Sequence, residues 1–545
     1  MVNTETLTTV KEHTGVEGTI NELPDEKKRR KAMKRTRKAI IIARCMAILL
    51  ALSTLFFGCS PPSSGSPEPV YPDAYWPDEE FNTEEYSAIT ENRFKSVVTN
   101  PLSTFAADVD TASYANIRRM INDGIKPQTD AVRIEEILNY FYYDYPEPNA
   151  GEPFSVTTEL SDCPWNADTK LLLIGLQATK IDVSEQPPAN FVFLLDVSGS
   201  MDSANKLPLM KRAFILLTEQ LRPQDRVSIV TYASSDRVVM RGATGDEKAE
   251  IMRGIEDLTA GGSTAGSQGI ETAYNLAEKY FVEGGNNRVI LGTDGDLNVG
   301  VTSEGALKRL VEQKRESGIY LSVMGFGEGN IKDNKMETLA DNGNGNYSYI
   351  DDISEARRVL VEEMGGTLFT VAKDVKLQAE FNPAVLKGYR LIGYENRLLN
   401  DEDFDDDTKD GGEIGSGHRV TVIYEVVPVD SRFDVPGSEL KYQQNAGSSS
   451  AEWATVCIRY KEPNANDSVL LSYPIQSSSY SPSMSDNMRL AAAISEFGML
   501  LRNSEYSGTA SFDTVLDLLG SLPDINEDTY KAELLELVTK VKFME

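Results

Sequence analysis

Histidine and cysteine are scarce in this 545-residue sequence. The only histidines are His13 and His418, which excludes a zinc site built from several imidazoles and a proton relay through several rings. Four cysteines are too few for a disulfide-rich scaffold of this length. Hydrophobic residues make up 40% of the chain and charged residues 25%, as in an ordinary globular protein. The length allows about three domains.

Positive charge is also in short supply. The chain has 54 Lys and Arg against 84 Asp and Glu, which gives a formal net charge of −30. An acidic surface repels a phosphate backbone wherever salt does not screen the charges, so nucleic acid is not an expected partner.

One apolar run without charge lies near the N-terminus, at residues 45–57, directly after a strongly basic stretch at 27–44. This is the layout of a secretory signal. The run is shorter than the ~20 residues of a spanning helix, although residues 39–43 would extend it across Arg44 into an uncleaved anchor. Gly58 and Cys59 follow, and then SPPSSGSPEP. The segment resembles a bacterial lipoprotein signal, which implies removal of residues 1–58 and a lipidated Cys59 at the cell membrane.

Two cysteines remain beyond the signal region and its anchor, Cys163 and Cys457. Each lies in a strand-like stretch outside the central part of the chain. A bridge between them and two separate buried thiols both fit the sequence, and separate thiols are the simpler interpretation.

The chain beyond the signal divides by composition and periodicity. Residues 59–93 are rich in proline, serine and acidic residues without periodicity, which predicts a flexible tether. Residues 94–185 have the pattern of helices followed by strands, and residues 370–545 that of strands followed by helices. Asp108 and Asp110 precede the first of these helices, where a capping role is expected.

The strands of the two flanks are few on each side. Those at 154–179 and those at 375–460 are each too few to make a covered sheet easily. We therefore expect them to pair into one mainly antiparallel module, with the central part of the chain inserted between them. The acidic stretch at 400–412 departs from EF-hand spacing, because Thr408 stands where that loop needs glycine, and it is expected to be a solvated loop.

In the central part, residues 186–369, short apolar runs alternate with helical patterns. The runs are apolar on both faces, which predicts an α/β domain with a parallel sheet covered by helices on both sides; examples are FVFLLD, RVSIVTYA and RVILGTD. Ligands of such sheets bind beyond the carboxyl ends of the strands. The search for function therefore concentrates on that edge.

Three polar motifs lie at that edge. The first, DVSGS, ends a strand; GSTAGSQGI opens a helix; and TDG ends a later strand. Each has an ordinary role, since serine and threonine cap helices and aspartate before glycine forms turns. Their joint placement indicates instead a cation with hard oxygen ligands, which suits Mg²⁺.

In this order, the three motifs resemble the metal-ion-dependent adhesion site (MIDAS) of a von Willebrand factor type A (VWA) domain. The resemblance implies a Rossmann-like VWA domain and Mg²⁺ as the ion, with Mn²⁺ as a substitute. It also implies a partner protein that completes the coordination with an Asp or Glu carboxylate. The metal ligands that it implies are Asp196, Ser198, Ser200, Thr264 and Asp294.

The flanks extend the resemblance from about residue 92 to residue 545. Segments such as NPLSTFAADVDTASYANIRRMINDG and GEIGSGHRVTVIYE resemble sequences of a bacterial subfamily of exported proteins. In this subfamily, two further regions flank the VWA domain. The sequence is therefore expected to encode a lipid-anchored envelope protein that binds a protein partner, in adhesion or in the assembly of envelope complexes.

Two hydrolytic functions compete with binding. An α/β-hydrolase needs glycine two residues before its serine and a histidine, whereas Asp196 precedes Ser198 and residues 186–369 contain no histidine. A phosphohydrolase of the haloacid dehalogenase type needs a second acid two residues after its nucleophilic aspartate, where Ser198 stands. We expect a protein that is not an enzyme, with a metal-dependent phosphohydrolase as the alternative.

The predicted lipoprotein signal can be tested by labelling. Metabolic labelling with a fatty acid is expected to mark the wild type and to miss Cys59→Ala, because the thiol is the acylated group. Equal labelling of the two proteins would refute lipidation at Cys59. A single acyl chain gives only marginal membrane binding, so at least two chains are expected on the mature protein.

Overall fold

A computed structural model describes residues 82–107, 110–182, 184–262, 268–295, 304–437, 451–463, 465 and 467–544. The signal, Cys59 and Asp108 lie outside the described residues. No helix within these ranges combines the length and the apolar character needed to cross a membrane.

The N-terminal flank contains both helices that the sequence predicts. Its elements are β1 (Lys95–Ser96), β2 (Leu102–Ala106), α1 (Ala112–Asn122), α2 (Ile134–Tyr140), β3 (Phe154–Asp162) and β4 (Lys170–Ala178). In α1, Tyr114, Ile117 and Ile121 recur at helical spacing and are buried together. Gly124 follows with a positive φ of 74°, a conformation that glycine adopts without cost and that ends the helix.

The central part alternates strands and helices around one six-stranded sheet. Its elements are β5 (Ala189–Asp196), α3 (Leu207–Gln220), β6 (Arg226–Tyr232), β7 (Asp236–Thr244), α4 (Lys248–Glu256), α5 (Gly269–Lys279), β8 (Asn286–Thr293), α6 (Glu304–Glu316), β9 (Ile319–Phe326), α7 (Asp333–Asn342), β10 (Tyr347–Ile350), α8 (Ile353–Arg357) and α9 (Met364–Leu368). The strand order in the sheet is β10-β9-β8-β5-β6-β7. The strands are parallel except for β7, which pairs antiparallel with β6 at one edge.

Side chains of β5 alternate between two cores. Phe193 and Leu195 pack with α3 on one face, whereas Val192 and Leu194 pack with α5 and α7 on the other. The predicted α/β domain with helices on both faces is thereby confirmed. The sequence did not indicate β7 or α4, because β7 is a half-exposed edge strand without a continuous apolar run.

The C-terminal flank consists of strands followed by helices, as predicted. Its elements are β11 (Thr370–Phe381), β12 (Leu386–Ile392), β13 (Gly412–Gly415), β14 (Arg419–Pro428), β15 (Glu452–Lys461), β16 (Ser468–Gln476), α10 (Asp486–Arg502), α11 (Phe512–Gly520) and α12 (Thr529–Lys542).

Strands of the two flanks pair with each other in antiparallel register. β4 pairs with β14 in the sheet β1-β12-β14-β4-β3, and β2 pairs with β11 beside β13, β15 and β16. This pairing into one mainly antiparallel module was predicted, and the module consists of two sheets that share one apolar core. Helices α2 and α10 to α12 cover the outer face of the first sheet.

Residues 82–93, which the composition assigned to the tether, contact the folded body. The backbone N–H of Thr83 donates to the carbonyl of Gly329 at 2.8 Å, and the amide of Asn92 donates to the carbonyl of Gly393 at 2.8 Å. Glu84 pairs with Arg119 of α1 at 3.0 Å. Residues 83–93 of the predicted tether are therefore part of the folded body.

One further expectation needs correction. Asp110 does not cap α1; its carboxylate accepts a hydrogen bond from the backbone of Tyr347 at 2.9 Å and pairs with Arg397 at 3.2 Å. It therefore joins the start of α1 to edge strand β10. The sequence left open a bridge between Cys163 and Cys457 and favoured separate thiols. The two cysteines are separate free thiols, as favoured, with Cys163 buried and Cys457 partly exposed.

A buried arginine joins the central domain to both flanks. Arg118 of α1 is 4% exposed, and its guanidinium contacts Asp351 and lies 2.8 Å from Glu355, both of the central domain. It also lies 3.2 Å from Glu533 of α12. Three parts of the chain that are distant in sequence therefore meet on one cation.

Arg133 forms a second ionic contact between the N-terminal flank and the central domain. It precedes α2, is fully surrounded by protein and lies 2.6 Å from Asp333 at the start of α7. Glu136 of α2 holds the same guanidinium from the flank side. Both arginines fix the orientation of the central sheet on the flanks.

We expect Arg118→Met to lower the free energy of unfolding by about 3–5 kcal/mol, since it leaves buried carboxylates without their counter-charge. Chemical denaturation followed by circular dichroism measures this loss. Lys308→Met is the control, because Lys308 pairs with Glu312 at 3.8 Å on the exposed face of α6. The control should cost less than about 1 kcal/mol. Equal losses in the two variants would contradict the joint.

His418 lies between β13 and β14 with its ring against Gly366. A Cβ at residue 366 would lie 2.0 Å from the ring, so only glycine fits there. Burial, and then the positive charges of Arg358 and Arg419, lowers the pKa of His418 to about 4. The neutral ring is therefore the form that the fold accepts.

This low pKa makes stability depend on pH. The unfolded chain protonates His418 near pH 6.5, whereas the folded chain does so only near pH 4. Stability is therefore present above about pH 6.5 and is lost as the pH falls towards 4, by on the order of 3 kcal/mol. In His418→Gln, the difference in unfolding free energy between pH 7 and pH 4.5 should shrink. An unchanged difference would show that another group causes the loss.

Candidate metal centre

Two aspartates end neighbouring parallel strands. Asp196 is the last residue of β5, and Asp294 directly follows β8, whose Gly292 pairs in register with Leu195. The two carboxylates therefore lie at the same edge of the sheet. Asp196 is 0% exposed and Asp294 is 1% exposed. Two buried carboxylates at one sheet edge form a place where a cation is stabilised.

The loop after β5 brings two hydroxyl groups to this edge. The backbone N–H of Ser198 donates to Asp196 Oδ1 at 2.9 Å, which turns the chain back over the strand end. Ser198 Oγ and Ser200 Oγ lie 3.0 Å apart, with Ser198 buried and Ser200 exposed. The hydroxyl of Thr293 donates to Asp196 Oδ2 at 3.4 Å. The carboxylate is thus oriented from both sides.

Backbone hydrogen bonds join the loop after β5 to a second loop at residues 261–262. The N–H of Gly199 donates to the carbonyl of Gly262 at 3.0 Å, and the N–H of Gly261 donates to the carbonyl of Val197 at 2.9 Å. Thr264 follows this loop but lies outside the described residues, so its place among the ligands stays a prediction. The structure brings together the other four predicted site residues: Asp196, Ser198, Ser200 and Asp294.

Burial raises the pKa of Asp196 to about 6. Hydrogen bonds from Ser198 counteract the rise, and the negative charge of Asp294 adds to it. The donor set contains only carboxylate and hydroxyl oxygens. Such hard ligands fit Mg²⁺ or Mn²⁺, whereas zinc prefers imidazole and thiolate. On this chemistry, the residues present fit the ion that the sequence implies.

Lys206 is a residue of this edge that sequence reasoning missed. It stands directly before α3, and its Nζ lies 3.0 Å from Asp294 Oδ2. The only signal in the sequence is its position just after the DVSGS loop, where a lysine is normally taken for a solvated helix start. The contact appears only when the ends of β5 and β8 are placed side by side.

Another acidic group has an ordinary explanation. Carboxylate oxygens of Asp374, Asp410 and Glu413 lie within 4.8 Å of one another. However, Lys461 Nζ lies 2.6 Å from Asp374, and Arg315 pairs with Asp410. These cations offset two of the three carboxylates, and burial raises the pKa of Glu413 well above its ordinary value, which favours its neutral form. The cluster therefore gives no reason to expect a metal.

Three family models match the chain. The model described as von Willebrand factor type A domain matches residues 190–362, which contain the edge described above. The model described as von Willebrand factor matches residues 80–173, and the one described as "Uncharacterized protein YfbK, C-terminal" matches residues 366–544. The resemblance to a VWA domain bracketed by further regions is therefore confirmed.

Similar proteins cover most of the chain. "Uncharacterized protein YfbK" of Escherichia coli (strain K12) is 41% identical over 467 residues, which span 84% of this chain and 80% of that protein. A protein of Synechocystis, sll0103, is 27% identical over 312 residues, which span 56% of this chain and 69% of its own. A solved structure of a von Willebrand factor type A protein from Catenulispora acidiphila aligns at 17% identity with a TM-score of 0.41, over 74% of this chain and 97% of that one.

Proposed function

This chain belongs to the YfbK family of von Willebrand factor type A proteins, and from that premise we propose that it binds a partner protein through a divalent cation at the edge of its central sheet. VWA domains commonly mediate protein–protein interactions. The observation that carries the proposal is the convergence of Asp196, Ser198 and Asp294 at the ends of β5 and β8.

Five residues would hold the ion, which we propose to be Mg²⁺ with Mn²⁺ as a substitute. When bound, the ion supplies positive charge and an open coordination position. The buried Asp196 and Ser198 hold the inner side of the site, and the exposed Ser200 lies on the side that a partner reaches. The proposed set is Asp196, Ser198, Ser200, Thr264 and Asp294.

The expected partner group is an Asp or Glu carboxylate. A protein of net charge −30 binds such a group because a cation a few ångströms away outweighs surface charges that salt screens beyond about 8 Å. A hydrolytic function has weaker support. Ser198, whose hydroxyl contacts Ser200, stands where a phosphohydrolase of the haloacid dehalogenase type would place a second acid.

The cellular setting is part of the same proposal. Lipidation at Cys59 would hold the protein on the outer side of the cytoplasmic membrane, with residues 186–369 as the VWA domain between its two flanking regions. A surface-anchored protein with a carboxylate-binding edge suits adhesion or the assembly of envelope complexes.

The test is metal binding by the purified protein. Calorimetry with Mg²⁺ and Mn²⁺ should show one site in the wild type and none in Asp196→Ala, because the variant loses the carboxylate at the centre of the edge. The fold should persist, since Asp196 ends its strand. Asp202→Ala is the matched control, as this exposed aspartate lies in the same loop and should leave the affinity unchanged.

Equal metal uptake by the wild type and Asp196→Ala would refute the site. A second measurement concerns the partner. Envelope proteins captured by the wild type should be released by EDTA and should not bind Asp196→Ala. Capture that survives both changes would refute a metal-bridged interaction.

A further inference from the structure

Lys206 places an ammonium group beside one of the two aspartates of the candidate metal edge, which we call the metal edge and define by Asp196 at the end of β5 and Asp294 after β8. Its Nζ lies 3.0 Å from Asp294 Oδ2. Asp294 is 1% exposed and Lys206 is 9% exposed, so little water separates or screens the two charges. This is a buried ion pair inside a candidate metal site, where one of the two charges belongs to an expected ligand.

The position of the lysine is built into the fold. Its aliphatic stem packs on Gly327, just after β9, where a Cβ would lie 2.4 Å from the Cγ atom of Lys206. Gly327 has a positive φ of 79°, and its carbonyl accepts a hydrogen bond from the hydroxyl of Tyr349 at 2.6 Å. The backbone N–H of Lys206 also donates to the carbonyl of Ser203 at 3.0 Å. Lys206 is therefore held at both its backbone and its stem.

We propose that Lys206 is a positioning residue that holds Asp294 back from the metal ion and so reserves the ion's charge for a partner's carboxylate. The inference rests on the proposed function. An aspartate that shares its charge with an ammonium group is a weaker metal ligand. The ion then keeps more of its positive charge and one more exchangeable position.

This arrangement has effects of opposite sign on two affinities. Without the ammonium group, Asp294 no longer shares its charge with Lys206 and binds the ion more strongly, and the repulsion between two nearby cations disappears. Metal affinity should rise. The ion is then more fully neutralised and has one position fewer, so its affinity for an external carboxylate should fall. A lysine with a merely structural role would lower both affinities or neither.

The experiment compares the full chain with Lys206→Met and Lys206→Gln, using Mn²⁺ as the metal and acetate as the carboxylate probe. Calorimetry should show Mn²⁺ binding about tenfold tighter in both variants, since one adjacent positive charge is removed. Water-proton relaxation should show fewer exchangeable waters on bound Mn²⁺. It should also show acetate binding to the Mn²⁺-loaded variants several-fold more weakly than to the wild type.

Lys314→Met is the matched control. Lys314 lies in the last turn of α6, is partly exposed, and pairs at 2.5 Å with Glu278, whose side chain is about half exposed. Its removal changes the net charge by the same amount but should alter neither affinity, because salt screens distant charges. Circular dichroism verifies that each variant is folded. If the methionine variant is destabilised, the glutamine variant supplies the measurement, because its side chain ends in a neutral polar amide.

The outcomes separate the two proposals. A wild type that takes up no Mn²⁺ overturns the proposed function. A wild type that binds Mn²⁺, together with folded Lys206 variants whose Mn²⁺ affinity is unchanged or weaker, overturns only the role of Lys206. Tighter binding in Lys314→Met as well would also overturn that role, because the effect would then arise from net charge alone.

Discussion

The buried guanidinium of Arg118 is the contact on which the arrangement of the molecule depends. It lies among carboxylates of the central domain and of the last helix, and Arg133 repeats the device at the start of α7. A buried charge tolerates little displacement, because any shift leaves a carboxylate without its partner. The central sheet therefore has one defined orientation on its flanks, although only two segments of chain connect them covalently. The contacts with the flanks therefore also determine the direction in which the edge with Asp196 and Asp294 faces.

That orientation gives the flanks a role that the metal edge alone does not explain. An isolated α/β domain with the same strand ends would have the same candidate metal ligands. Here α1 lies beside edge strand β10, where Asp110 accepts from the backbone of Tyr347. Residues 82–93 contact the loop around Gly329, two residues beyond Gly327, on which Lys206 packs. The flank and the metal edge thus share one stretch of backbone between β9 and α7.

Local patterns in the sequence were sufficient for much of this fold. Apolar runs such as β5 and the apolar stripe of α1 determine their own structure. The carboxyl ends of neighbouring parallel strands share an edge, so the meeting of Asp196, Ser198 and Asp294 at one edge of the sheet could be predicted. Features that depend on contacts between distant segments were not. Lys206 and Asp110 looked like residues of helix starts, because nothing local indicates that Asp294 or Tyr347 lies beside them. Edge strand β7 was not predicted, because one of its faces is solvated and its sequence therefore contains no continuous apolar run. Separation of the flank strands into two sheets depends on packing, not on any one strand.

The route of the chain also determines how a mechanical load would spread. The central domain is attached at two points, from β4 into β5 and from α9 into β11, and these two flanking strands belong to different sheets of the sandwich. Tension applied at the metal edge is therefore divided between two covalent paths. It is delivered to both sheets, whose strands are held by ladders of hydrogen bonds on each side of β4 and of β11. Pulling either β4 or β11 out of its sheet requires many of these hydrogen bonds to break together. The central domain is therefore held at both of its ends and does not swing about a single connection.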